Sequence, residues 1–179
     1  MRRACLIIPL LLAGCAQSST ARLKLPPLQP VAQVDLQRYL GTWYEIAAFP
    51  QGFQKGCTTT TAEYALRPDG EVDVVNRCRD GTPQGPERVA RGRARVVDRA
   101  SNARLEVSFF RPFWGDYWII GLGPAYEYAV VGHPGRDYLW ILARAPVLPE
   151  ETYQAILGRL QGQGYDTTRL VRTVHGAGG

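Results

Sequence analysis

Histidine is scarce in this chain: of 179 residues only His133 and His175 carry an imidazole. The first sits in a Gly-His-Pro-Gly turn and the second in a glycine-rich tail. No Ser-His-Asp or Cys-His arrangement for nucleophilic catalysis is evident, and no spacing of His, Cys, Asp and Glu matches a metal site. The sequence therefore offers no catalytic residue, no metal ligand and no cofactor, and the chain does not read as an enzyme. Long apolar runs are missing as well. The apolar stretch Leu6 to Leu12 is too short to cross a bilayer as a helix. Basic stripes interleaved with aromatics are absent, which argues against nucleic acid as a partner. The arginines at 88, 91, 93, 95 and 99 form the one modest run. On a strand, positions 91, 93 and 95 share a face and read as a solvated outer surface, with anionic lipid headgroups as a second use.

What is present begins with an export signal. Arg2 and Arg3 precede Leu6-Ile7-Ile8-Pro9-Leu10-Leu11-Leu12, and the stretch ends in Leu12-Ala13-Gly14-Cys15. Small residues with a cysteine straight after the expected cut resemble the lipobox of bacterial lipoproteins, and position, spacing and flanks agree with it better than with a plain secretory signal. The resemblance implies a signal peptide over 1–14, cleavage before Cys15, a diacylglycerol on its sulfur and acylation of its new amine. Several acyl chains, each methylene worth about 0.8 kcal/mol when buried, make a stable membrane anchor. Ala16 stands where lipoproteins retained in the inner membrane carry Asp, which points to the periplasmic face of a Gram-negative outer membrane. Residues 15–33 then read as a lipidated N-terminus and tether, polar at Gln17 to Thr20 and stiffened by Pro26, Pro27 and Pro30. Without Arg2 and Arg3 the 21 basic residues fall to 19 against 16 acids, so the net charge of +5 becomes +3.

Four cysteines are present, of which Cys5 leaves with the signal and Cys15 takes the lipid. The body keeps Cys57 and Cys78, and an even pair in an exported domain reads as a disulfide. Thr58 to Leu66 and Glu71 to Arg77 alternate and are joined by the turn Arg67-Pro68-Asp69-Gly70. Pairing Leu66 with Glu71 brings the two cysteines together at the open end of the hairpin, two positions off direct register. A bulge or a slip of register would bring them into range. The competing reading is a free, reactive thiol at Cys57.

Short alternating runs continue along the chain at 43–49, 57–66, 71–78, 89–97, 104–110, 117–121, 126–132 and 137–144. The segment Pro112 to Asp116 reads as a turn. A content of 45% hydrophobic residues suits one core. Strands at this regular spacing predict an all-β fold, an eight-stranded antiparallel up-and-down barrel with room for one small ligand. Helical period occurs once, at Tyr153, Ile156, Leu157 and Leu160 after Pro149-Glu150-Glu151, and predicts one helix packed on the barrel's outside. Tyr165 to Val174 offers a short last strand, and residues 175–179 read as a flexible tail.

Three segments carry a family resemblance. Gly41-Thr42-Trp43 at the first strand, Gly132 to Asp137-Tyr138 at the penultimate turn, and Arg144 at the end of the last barrel strand resemble the conserved regions of lipocalins. Tyr39 to Ala47, Val107 to Phe113 and Arg136 to Arg144 are similar in wording to bacterial lipocalins in particular, over residues 34–174. The resemblance implies a barrel open at one end, with Gly41, Trp43, Asp137, Tyr138 and Arg144 closing the other. A guanidinium stacked on an indole fits that role, at about 0.5–2 kcal/mol. The aromatics Trp43, Phe109, Tyr117, Tyr128 and Trp140 are the candidate ligand-binding residues, an apolar lining with hydroxyls for a polar headgroup. What the resemblance implies as ligand is a fatty acid, lysophospholipid or phospholipid. A second reading is an envelope interaction protein whose barrel is filled by its own aromatic side chains. Some lipocalins catalyse through a cavity cysteine, so a free Cys57 would reopen the enzymatic reading.

Overall fold

The computed structural model describes residues 25–176; the signal segment, Cys15, the first part of the tether and residues 177–179 lie outside them. Eight strands form the barrel: β1 (Gly41–Ala48), β2 (Cys57–Leu66), β3 (Val72–Asp80), β4 (Glu87–Val96), β5 (Arg104–Phe110), β6 (Phe113–Leu122), β7 (Tyr128–Gly132) and β8 (Leu139–Ala143). Each pairs antiparallel with the next, β8 pairs with β1, and β1 with β2, so the sheet closes on itself. Connections of a meander alternate between the two ends. The loops after β2, β4 and β6 therefore gather at one end, and those after β1, β3, β5 and β7 at the other.

Local chemistry sets the register. In the β2–β3 turn Gly70 takes φ +83, a conformation that costs other residues, and the Asp69 carboxylate accepts from the Glu71 amide at 3.0 Å. Leu66 pairs with Val72 rather than Glu71, a one-residue shift from the expected pairing. The expected bulge is present between Thr58 and Thr61, where Thr59 has φ 50. It leaves Cys57 opposite Asp80, and the Cys57–Cys78 disulfide crosses diagonally over a Cα–Cα distance of 5.4 Å. A reactive thiol at Cys57 is thereby ruled out.

The sheet buries apolar side chains on both faces. Inside, Trp43, Tyr64, Val74, Leu105, Ile119 and Val131 form one cluster. Outside, helix α2 (Glu150–Gly162) lays Tyr153, Ile156 and Leu160 on Ile120, Val130 and Ile141, as the helical period predicts. A short helix α1 (Leu36–Tyr39), capped by the Asp35 carboxylate on the Gln37 and Arg38 amides, crosses the closed end.

Three segments depart from the sequence reading. Phe113 to Asp116 is the first half of β6 and not a turn, and the hairpin bends at Arg111-Pro112 instead. The last strand shrinks to β9 (Val171–Arg172), because Asp166 caps a single 3-10 turn over Thr167–Arg169. Residues 26–34 do not hang free as tether. Arg136 Nη2 donates to the Pro26 carbonyl at 2.6 Å, Val31 N donates to Ile119 O at 2.9 Å, and Val34 N to Ser101 O at 2.7 Å. Leu28 is buried in the outer cluster. The segment runs down the barrel wall from the β7–β8 hairpin to the β4–β5 turn, from the open end to the closed one.

Beyond α2 the chain returns to β1. Ala47 and Ala48 pair with Arg172 and Val171 on the side where β2 has already diverged, since β2 holds β1 only over Gly41–Tyr44. Thr59 N donates to Val174 O at 2.7 Å and Thr173 N to Ile46 O at 3.0 Å. His175 Nε2 lies 2.7 Å from the Glu45 carbonyl oxygen. Residues 171–175 thus fill the gap between the upper halves of β1 and β2.

Candidate functional site

The closed end is built around Trp43, which is fully buried. Its indole N–H donates to Tyr39 O at 2.8 Å, and the Arg144 guanidinium lies 3.7 Å from its ring centroid. That guanidinium also donates to Thr42 O at 2.8 Å and Arg38 O at 2.6 Å, so one side chain ties α1 to β1. Gly41 has φ +88, which is what admits the chain from α1 into the strand. Three of the expected closing residues, Gly41, Trp43 and Arg144, are brought together. Asp137 and Tyr138 are not, because the β7–β8 turn that holds them lies at the open end. The Asp137 carbonyl accepts from Gln51 Nε2 at 3.3 Å, and Tyr138 stacks on Trp140 at 5.9 Å and 13°. Their place at the closed end is taken by the β6–β7 turn. Tyr126 accepts from the Asp35 amide at 2.8 Å under the Arg38 guanidinium, and Glu127 O accepts from Arg144 N at 3.0 Å.

Above Trp43, three tyrosines form a polar floor. The Tyr117 hydroxyl lies 2.8 Å from that of Tyr39 and 2.9 Å from that of Tyr64. Burial pushes all three phenols up, Tyr64 to about 12, so the three hydroxyls stay neutral at any physiological pH.

Over this floor opens a cavity of about 420 Å³. Val74, Val107, Phe109, Val131, Trp140 and Leu142 give it apolar walls, with Tyr64 and Tyr117 below. Polar groups are few and fixed. Glu45, held on the inner wall, accepts from Thr173 Oγ1 at 2.6 Å and Gln54 Nε2 at 2.7 Å. Gln54 in turn accepts from the Trp140 indole at 3.1 Å. Burial raises the Glu45 carboxyl above the usual range, against those donors, which pull the other way. Thr60 Oγ1 and Asn76 Oδ1 also line the cavity, buried and without a hydrogen-bond partner. Phe53, Asp116, His133 and Tyr138 stand at the mouth.

Of the expected ligand-binding aromatics, Phe109, Tyr117 and Trp140 line this cavity. Trp43 lies beneath the tyrosine floor, out of reach of the space above. Tyr128 points outward under α2, where its hydroxyl accepts from Arg159 Nη1 at 3.1 Å. Tyr39 and Tyr64 were not singled out in the sequence. Tyr64 was legible from β2 alternation, and Tyr39 only from its place four residues before Trp43. Among the described residues no group of His, Cys, Asp and Glu is placed to hold a metal.

A closed antiparallel barrel with one mouth, an apolar interior and a Trp–Arg plug is a cup for one small hydrophobic molecule. Residues 34–175 match the lipocalin-like domain, and the chain belongs to the lipocalin family, whose members generally serve in binding or transport. It is 40% identical over 141 residues to the outer membrane lipoprotein Blc of Escherichia coli K12, covering 79% of each chain. It is 37% identical over 155 residues to the temperature-induced lipocalin-1 of Arabidopsis thaliana, covering 82% of each. Among solved structures, insecticyanin from the tobacco hornworm Manduca sexta superposes with a TM-score of 0.68 at 21% identity, over 85% of this chain and 86% of that one.

Proposed function

We propose that this chain is an outer-membrane-anchored lipocalin that stores or carries fatty acids, lysophospholipids or phospholipids on the periplasmic face. The observation that carries the reading is the open cavity: its apolar walls suit an acyl chain, and its volume lies in the range of small-molecule sites. Thr60 Oγ1, unpartnered on the wall, can donate to a carboxylate, and Asn76 Oδ1 can accept from a headgroup hydroxyl or amine. The lipobox ending in Cys15 and the likeness to proteins named outer membrane lipoproteins support the anchor. A barrel plugged by its own aromatics would favour an interaction protein, and this barrel is not plugged.

Displacement of a fluorescent fatty acid, with native mass spectrometry of the purified protein, tests the cargo. Saturable binding at micromolar protein with one lipid per chain is expected; its absence for all three lipid classes sinks the reading. The intact mass of the mature protein tests the anchor. A chain beginning at Cys15 and carrying acyl mass is expected, and a free Cys15 thiol refutes it.

A further inference from the structure

The sequence contains five phenylalanines. Phe49 is buried and Phe109 lines the cavity, but Phe53, Phe110 and Phe113 are 63%, 81% and 76% exposed. All three lie at the open end, Phe53 in the β1–β2 loop and Phe110 and Phe113 flanking the β5–β6 bend. Single exposed apolar residues are ordinary; three aromatics confined to one rim of a cup are not. The loop that carries Phe53 is braced from below. Arg88 donates to Phe53 O at 3.0 Å and to Lys55 O at 2.9 Å, which fixes the backbone on either side of the ring at the mouth, with the exposed Lys55 beside it.

The course of the N-terminal segment says what this rim faces. Described chain begins at Leu25, which packs beside Gly164, and Pro26 is tied to Arg136 in the β7–β8 hairpin. Both are at the open end, because the segment then descends the wall to Ser101. Nine residues separate Cys15 from Leu25, ten Cα–Cα steps that reach at most about 35 Å when fully extended. An anchor at Cys15 therefore joins the folded body at its mouth end, which lets the rim lie on the membrane with slack in the tether.

We propose that the open rim docks on the phospholipid bilayer, with Phe53, Phe110 and Phe113 inserted at the headgroup boundary and Lys55 facing anionic headgroups. Aromatic rings favour that boundary and basic side chains are drawn to it. The cavity then opens on lipid rather than on water, so cargo enters or leaves without crossing solvent. This orientation rests on the lipid anchor proposed above, and the test separates the two.

The lipidated protein is reconstituted on phosphatidylethanolamine vesicles containing phosphatidylglycerol, with Phe113→Cys labelled by an environment-sensitive dye. Leu66→Cys, exposed at the closed end, is the control. The expected result is a blue-shifted label at 113, quenched severalfold by lipids with spin labels near the headgroup, and a label at 66 that remains aqueous. Equal behaviour of the two labels on protein that floats with the vesicles overturns the rim and leaves the anchor standing. Protein that does not float indicts the anchor; the rim is then tested by adding excess vesicles, and an aqueous label at 113 overturns it too. Protection of the label that depends on protein concentration and needs no vesicles shows a second copy on the rim, and also overturns the proposal. As a second measure, Phe110→Ser with Phe113→Ser should slow uptake of a lysophospholipid from vesicles severalfold while leaving affinity for a water-soluble short-chain fatty acid unchanged. Unchanged uptake refutes the proposal.

Discussion

Replacing Tyr117 with phenylalanine removes the middle hydroxyl of the three-tyrosine floor. Tyr39 and Tyr64 each bond only to Tyr117 within this group, at 2.8 and 2.9 Å, and both are deeply buried. Tyr117→Phe therefore strands two hydroxyls at once. A stranded buried polar group costs roughly 1–3 kcal/mol, so the substitution is expected to destabilise by about 2–6 kcal/mol. Tyr39→Phe behaves differently. It strands nothing, because Tyr117 keeps Tyr64, and loses only one ordinary bond, about 0.5–1.5 kcal/mol. The sharpest comparison is the triple phenylalanine variant, which removes every hydroxyl and leaves no orphan; it should be more stable than Tyr117→Phe alone. Urea unfolding followed by tryptophan fluorescence measures all three, with the slope held to check that the transition remains cooperative. A cost for Tyr117→Phe no larger than that for Tyr39→Phe refutes the reasoning, as does a triple variant that is the least stable of the set.

Three further outcomes are expected. Gly115→Phe projects a ring into the cavity from a site where an added Cβ meets nothing closer than Val107 O at 4.0 Å; it should weaken lipid binding about tenfold or more with little change in stability, read by displacement titration and urea unfolding together. Removing the disulfide with Cys57→Ser and Cys78→Ser frees a loop of sequence separation 21, for an expected loss of about 3 kcal/mol that reductant should reproduce in the native protein. Glu45 holds its proton more tightly folded than unfolded. Its charged form thus costs stability, a cost absent below the ordinary value of 4.5 and growing as pH rises through the raised folded value. Relative to Glu45→Gln, the native protein should be most stable in acid and lose ground toward neutrality; a difference independent of pH contradicts this.

The barrel itself was legible because alternation, turn residues and spacing all pointed one way. The Trp43–Arg144 plug was legible through the resemblance to lipocalins, and the topology agrees with it, because the first and last strands of a closed meander meet. The misplacement of Asp137 and Tyr138 has a simple cause. In a meander, successive turns lie at opposite ends, so moving a motif by one hairpin transfers it across the whole barrel. Tyr126-Glu127, one turn earlier, lies at the correct end. Tyr128 was misjudged for another reason. Every residue of β7 is buried, because α2 covers the outer face as the cavity wall covers the inner. With no polar side to the strand, alternation carries no sign of which face points inward. Phe113 to Asp116 looked like a turn because proline, glycine and aspartate cluster there, yet strand pairing with β5 overrode those local preferences.

The closing segment at residues 171–175 bears on solubility. A sheet closed on itself offers no free margin to a neighbouring molecule, but here β2 leaves β1 after Tyr44, and Ala47 and Ala48 are left with amides and carbonyls that only β9 engages on that side. Without the C-terminal residues the barrel would carry a short open edge beside its mouth, ready to accept a strand from another chain. Residues 171–175 thus act as a stopper against self-assembly, and changes that remove or displace them should be judged first by whether they leave that edge covered.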